Sequence, residues 1–157
     1  MNNLILSLVA GLGATLAIGV LSYAEVSLTE VVLLMAPFGA TAVLVFGVPS
    51  SPLAQPKNVI IGHFITASIG IAFSQYVEIT PITLAIATGL GVSAMLITKT
   101  THPPAGANPI LIMASGQGWS FLFTPVLIGA VVIVLVGKAL QLLQSHYLNP
   151  RLNGQKT

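Results

Sequence analysis

Long apolar stretches separated by short polar punctuation dominate the chain, and the positions of the breaks carry most of its information. Runs close to the roughly twenty residues that cross a bilayer lie at 4–23, 31–48, 59–77, 81–98 and 121–143, with a shorter apolar segment after Pro104. The first run lacks a basic leader and an A-x-A-like cut site, so it is expected to be a retained helix. "THPPAGANP", from Thr101 to Pro109, cannot be smooth helix: each proline removes a donor and crowds the preceding turn, and the residue before it avoids the helical region. An extended stretch over 101–107 is therefore expected, then a short helix with Asn108 as N-cap and Pro109 in its first turn. Hydrocarbon tolerates such backbone only where protein buries it or a watery cavity adjoins it.

The interruption has a partner. "PFGATAVLVFG" (37–47) aligns with "PAGANPILIMA" (104–114) at an offset of 67 residues, at which "VIIG" (59–62) also falls on "VLIG" (126–129) and Gly70 on Gly137. Each copy is then a helix, a segment broken at Pro-x-Gly-Ala, and another helix. If the broken segments cross, each copy crosses three times and the second lies inverted. Loops bearing Lys57 and Lys99 and the tail with Arg151 and Lys156 alternate with loops lacking basic residues. By the positive-inside rule, six crossings put both termini in the cytoplasm.

The expected fold is an all-α membrane protein of two inverted repeats, each of three segments whose middle one is broken into a half-helix. A single transmembrane domain would occupy 1–147 (repeats at about 4–77 and 78–147), and a short polar cytoplasmic tail 148–157. Composition agrees: 55% of the 157 residues are hydrophobic and 5% charged, against roughly 25% charged in soluble domains. The absence of cysteine excludes disulfides and thiol chemistry, and a net charge of +2 from few groups gives no nucleic-acid surface.

Helix N-termini present free N–H donors and about half a positive charge. In the first copy Thr41 is the expected cap, matching Asn108 in the second, and the small residues Gly39, Ala40, Gly106 and Ala107 would let an ion approach the backbone. Two such ends around a pseudo-twofold axis would bind a small anion near the midplane. The pair of motifs "SPLAQPKNVIIGH" (51–63) and "THPPAGA" (101–107) resembles the HPP family of integral membrane proteins, some of whose members in cyanobacteria and chloroplasts are nitrite transporters. Nitrite as substrate and a bacterial, even cyanobacterial, cytoplasmic membrane are what that resemblance implies. Asn108–Pro109 departs from the Thr-Ala common at that place in the family.

The expected substrate-binding set is Gly39, Ala40, Thr41, His102, Pro103, Pro104, Gly106, Ala107 and Asn108, with His63, Lys57 and Lys99 as pathway or proton-coupling residues. Each has a plainer alternative. The His102 ring could serve backbone carbonyls beside Pro103, His63 could be a neutral histidine bonded to a neighbouring helix, and lysines at cytoplasmic helix ends follow from topology alone. Glu25, Glu30 and Glu78 are expected to be solvated in loops, Trp119 to anchor an interface, and helical glycines to permit close packing. Without a carboxylate pair, cysteine or clustered histidines, no enzyme, cofactor or metal site is expected. A permease or channel for a small anion, as a homo-oligomer in the bilayer, is the favoured function. A channel for a neutral or cationic solute such as ammonia or water, or a scaffold subunit, is the alternative.

Overall fold

The computed structural model describes residues 3–28 and 31–148, so Glu30, Arg151, Lys156 and nearly all of the expected tail lie outside the described residues. Every regular element among them is helical. These are α1 (Asn3–Ser27), α2 (Pro37–Ala42, continued by a wider turn at Val43–Gly47), α3 (Pro56–Tyr76), α4 (Pro81–Ile97), α5 (Asn108–Ser115) and α6 (Ile128–Leu143). A wide turn at Leu122–Leu127 leads into α6, and tight 3-10 turns occupy Pro52–Ala54 and Pro103–Ala107. Three helical stretches are long and apolar enough to cross a membrane, Asn3–Ser27, Pro56–Tyr76 and Leu122–His146, while Pro37–Gly47 and Pro81–Ile97 are shorter.

The helix starts correct several expectations. α2 opens at Pro37, four residues before Thr41, because a turn ahead of it already satisfies its first amides: Phe38 N donates to Met35 O and Gly39 N to Ala36 O. The first Pro-x-Gly-Ala is thus helical, and the irregular backbone lies before it. α5 does open at Asn108, but the flanking residue is Ala107 and no side chain caps the helix. Thr41 and Asn108 are not N-caps. The stretch 101–107 is extended only at its beginning, since Pro103–Ala107 winds into a 3-10 turn closed by Ala105 N donating to His102 O. Gln55 precedes α3, with Pro56 in its first turn, and Asn58 Nδ2 donates to Thr101 O at 2.9 Å.

In lipid the apolar surface drives nothing inward, so the protein-facing stripe is marked by small and polar residues. α3 shows this most clearly: it buries Val59, Gly62, His63, Thr66, Ala67, Gly70 and Ile71, a 3–4 spacing along one face. Its ends fix the second broken segment. Asn58 holds Thr101 at one end, and Gln75 Nε2 donates to Gln117 O at the other. From Asn58 to Gln75 the helix advances about 26 Å, so the segment between Thr101 and Gln117 runs beside α3 for nearly its whole length.

Four glycines lie where distant parts of the chain approach each other closely. A Cβ on Gly62 would lie 2.9 Å from Thr100 O and one on Gly129 3.2 Å from Leu33 O; on Gly70 it would lie 3.4 Å from Ile112 Cβ, and on Gly137 it would run into Val45 Cγ1. Both members of each pair of contacts are shifted by the same 67 residues in opposite directions. Glu25 is not merely solvated: its Oε2 accepts from Leu33 N and Leu34 N, both at 2.8 Å, and so satisfies the irregular backbone before α2.

Candidate functional site

A polar relay crosses the protein interior where α2, α3, α5 and the strand-like approach to Pro103 meet. Thr41, His63, Thr66, His102 and Asn108 are each fully buried. At one end His102 Nδ1 lies 2.8 Å from Leu53 O, and its Nε2 lies 3.0 Å from Thr41 Oγ1. The same hydroxyl lies 2.8 Å from His63 Nε2. On the other side of that ring, His63 Nδ1 lies 3.0 Å from Asn108 Nδ2, which also donates to His63 O at 3.1 Å and Thr66 Oγ1 at 3.0 Å. Thr66 Oγ1 in turn donates to Gly62 O at 2.9 Å.

Local sequence explains the placement. His63 and Thr66 are three residues apart on α3 and therefore share a face, and Gly62 leaves room for the chain at Thr100 and His102 to pass directly over that face. Thr41 lies one helical turn after Pro37, whose carbonyl is 3.2 Å from its hydroxyl. Phe38 presents its ring edge to His63 at a centroid distance of 5.4 Å, and the two imidazoles are 5.0 Å apart. Thr41 and Asn108, which align across the internal repeat, thus engage opposite nitrogens of one histidine.

The structure divides the expected site residues. Thr41, His63, His102 and Asn108 come together. Ala40, Pro103, Pro104 and Ala107 instead line an open, apolar groove of about 530 Å³ between the starts of α2 and α5. Gly39 and Gly106 have open space where a Cβ would be, so neither is needed for close approach by protein. Lys57 and Lys99 are exposed, outside the relay, and the Asn58–Thr101 hydrogen bond brings their chain positions to one end of the bundle. Sequence reasoning missed Thr66 and the Leu53 carbonyl. Thr66 was findable, because it follows His63 at helical spacing; Leu53 was not, since its carbonyl reaches the site through a tertiary contact.

Among the described residues no group of three or more His, Cys, Asp or Glu could hold a metal ion. The relay can exchange protons and present hydrogen-bond donors. The first amides of α2 cannot perform the second task as expected, because they are bonded to the preceding backbone.

Two transmembrane proteins of Dictyostelium discoideum are similar to this chain. One is 36% identical over 128 residues, 76% of this chain and 45% of its own length. The other is 35% identical over 128 residues, 76% of this chain and 41% of its own length. The chain spans less than half the length of these relatives, and their source lends no support to the expectation of a bacterial membrane. No solved structure matches. The family pattern described as the HPP transmembrane region matches residues 2–148, which covers both proline-containing motifs and every element of the relay. This chain is an integral membrane protein and belongs to the HPP transmembrane family.

Proposed function

We propose that this protein is a permease for a small inorganic anion, nitrite first, and that the His63–Thr41–His102–Asn108 relay is its central site. The observation that carries this reading is the burial of two titratable rings, two hydroxyls and a carboxamide in one connected chain inside a membrane protein. Ionisable residues are costly at membrane depth and mark solute or proton pathways. A scaffold would have no use for them.

Six crossings in two inverted halves belong to the same reading. The reciprocal glycine contacts support the inversion, and the passage of the 101–117 segment along α3 supports its crossing. Both lysine-bearing ends then lie on the cytoplasmic side with the termini. The first amides of α2, bonded to the preceding backbone, play no part in binding the ion; attraction for an anion comes from donors of the relay. Because the engaged amides remove one source of anion selectivity, a neutral solute such as ammonia or water is the second reading.

Purified protein in liposomes should take up labelled nitrite above the rate of protein-free liposomes, with a lower rate for a His63→Ala, His102→Ala double variant that still elutes as folded protein. Solute flux of ammonia or water without nitrite flux would favour the second reading, and no flux of any of them a scaffold.

A further inference from the structure

The geometry points to a one-proton relay in which His63 and His102 share a single exchangeable proton through the Thr41 hydroxyl, and we propose that this proton travels with the anion. The coupling rests on the transport reading above; the relay stands on hydrogen-bond chemistry alone.

A carbonyl only accepts, so His102 Nδ1, 2.8 Å from Leu53 O, carries a hydrogen. In the neutral ring Nε2 then offers a lone pair, and the Thr41 hydroxyl at 3.0 Å donates to it. A hydroxyl has one proton to give. His63 Nε2, 2.8 Å from the same oxygen, must therefore donate to Thr41. That leaves His63 Nδ1 as a lone pair, and Asn108 Nδ2 at 3.0 Å supplies the hydrogen. All donors point one way, from Asn108 toward Leu53, and the two histidines hold opposite tautomers.

One further atom shows where a proton would go. Asn108 Oδ1 is buried with no hydrogen-bond partner, because Nδ2 faces three acceptors at once. When a proton arrives on His63 Nδ1, that nitrogen becomes a donor. Turning the carboxamide over presents Oδ1 to it and satisfies the orphaned oxygen, while Nδ2 gives up its bonds to His63 O and Thr66 Oγ1. The ring's Nε2–H bond then breaks as a new Thr41 O–H bond forms, while the original Thr41 O–H bond breaks and an N–H bond forms on His102 Nε2. The positive charge has moved from His63 to His102 with all atoms conserved. With His102 protonated on both nitrogens, its Nε2–H donates to Thr41, whose new O–H donates back to the lone pair on His63 Nε2, 2.8 Å away.

Only one proton fits. The ring centroids are 5.0 Å apart, and the ring nitrogens are bonded to Leu53 O, Thr41 and Asn108, none of them a carboxylate. α2, α4, α5 and the turns at 52–54, 103–107 and 122–127 contain no charged residue. Of the neighbouring charges, Lys57 at the start of α3, Lys99 after α4 and Lys138 on α6 are exposed, Glu78 is exposed beyond α3, and the Glu25 carboxylate is occupied by backbone amides. A single imidazolium in such surroundings attracts one monovalent anion. The substrate class is accordingly the anion of a weak acid moved with one proton, without net charge.

The chain has three histidines, so nitrogen-15 histidine NMR of the full chain in nanodiscs, with His146→Gln to assign the third, reads the relay directly. The expected spectrum at high pH has one ring protonated on Nδ1 and the other on Nε2, and acidification adds one proton to the pair. Two rings of the same tautomer, or two independent protonations, would overturn the relay whatever the transport data. In liposomes an inward acid gradient should accelerate nitrite uptake without current, Thr41→Ser should retain this, and Thr41→Val should lose at least about tenfold of it. An intact relay spectrum with gradient-independent nitrite uptake would overturn the coupling while leaving the permease, whereas absence of nitrite uptake would remove the permease itself.

Discussion

Replacing Gly62 by alanine tests the connection between helix packing and the relay. The added Cβ would lie 2.9 Å from Thr100 O and 3.0 Å from His102 Cβ, where ordinary contact begins at 3.4 Å, so the 100–102 backbone must retreat by about half an ångström. It is poorly able to do so. Thr100 N is bonded to Met95 O at 2.9 Å, Thr101 O accepts from Asn58, and His102 is bonded at both ring nitrogens. Overpacking of a close contact costs roughly 1–3 kcal/mol, offset by up to about 1 kcal/mol from the better helix propensity of alanine. A net loss of about 1–2 kcal/mol corresponds to a fall in Tm of roughly 2–8 °C. The same retreat stretches the His102 Nε2 to Thr41 Oγ1 contact from 3.0 Å to about 3.5 Å, beyond useful hydrogen bonding. Gly89→Ala is the control, since nothing lies within 4 Å of its added Cβ. Melting in nanodiscs, followed through the single tryptophan, Trp119, should therefore fall for Gly62→Ala and hold or rise for Gly89→Ala, with nitrite uptake reduced only in the former. A Gly62→Ala protein that melts and transports like its parent would refute the close seating of the 100–102 segment on α3.

Lys99 occupies the left-handed region at φ 54 where α4 closes with Lys99 N donating to Leu96 O and Thr100 N to Met95 O. Lys99→Gly should relieve about 1 kcal/mol of strain and raise the melting temperature, whereas Lys99→Ala should not. Glu25→Ala removes the acceptor for two backbone amides and should destabilise by about 2 kcal/mol or more, seen as a lower melting temperature in nanodiscs. Asn108→Asp places acceptor oxygens against His63 Nδ1, holds that ring as the cation, and puts negative charge where the anion is needed; the protein should elute normally yet lose nitrite uptake, while Asn108→Ser retains more. Single cysteines at Lys99 and Gly118 should label from opposite faces of intact cells, and labelling from one face would remove the crossing of the 101–117 segment.

Membrane residence and helical architecture follow from sequence alone, because the bilayer demands apolar length and internal hydrogen bonding; the positions of the chain breaks did not, since Pro37 starts a helix and Pro103 a 3-10 turn where broken backbone was expected. The 67-residue offset picked out Thr41 and Asn108 as helix caps, whereas in the structure they bond opposite nitrogens of His63. Capping is a local contest, and its outcome depended on neighbours: a turn at Met35–Ala36 satisfied the first amides of α2 before Thr41 was reached, and His63 claimed the Asn108 carboxamide. His63 and His102 were legible as unusual residues in an apolar chain. Their pairing was not, since 39 positions separate them and only the passage of the 100–102 backbone over Gly62 brings the rings together. The direction of the relay was still further from view. It is set by the Leu53 carbonyl, a backbone acceptor whose chemistry every residue shares, so only the tertiary structure could decide which carbonyl fixes the tautomer of His102.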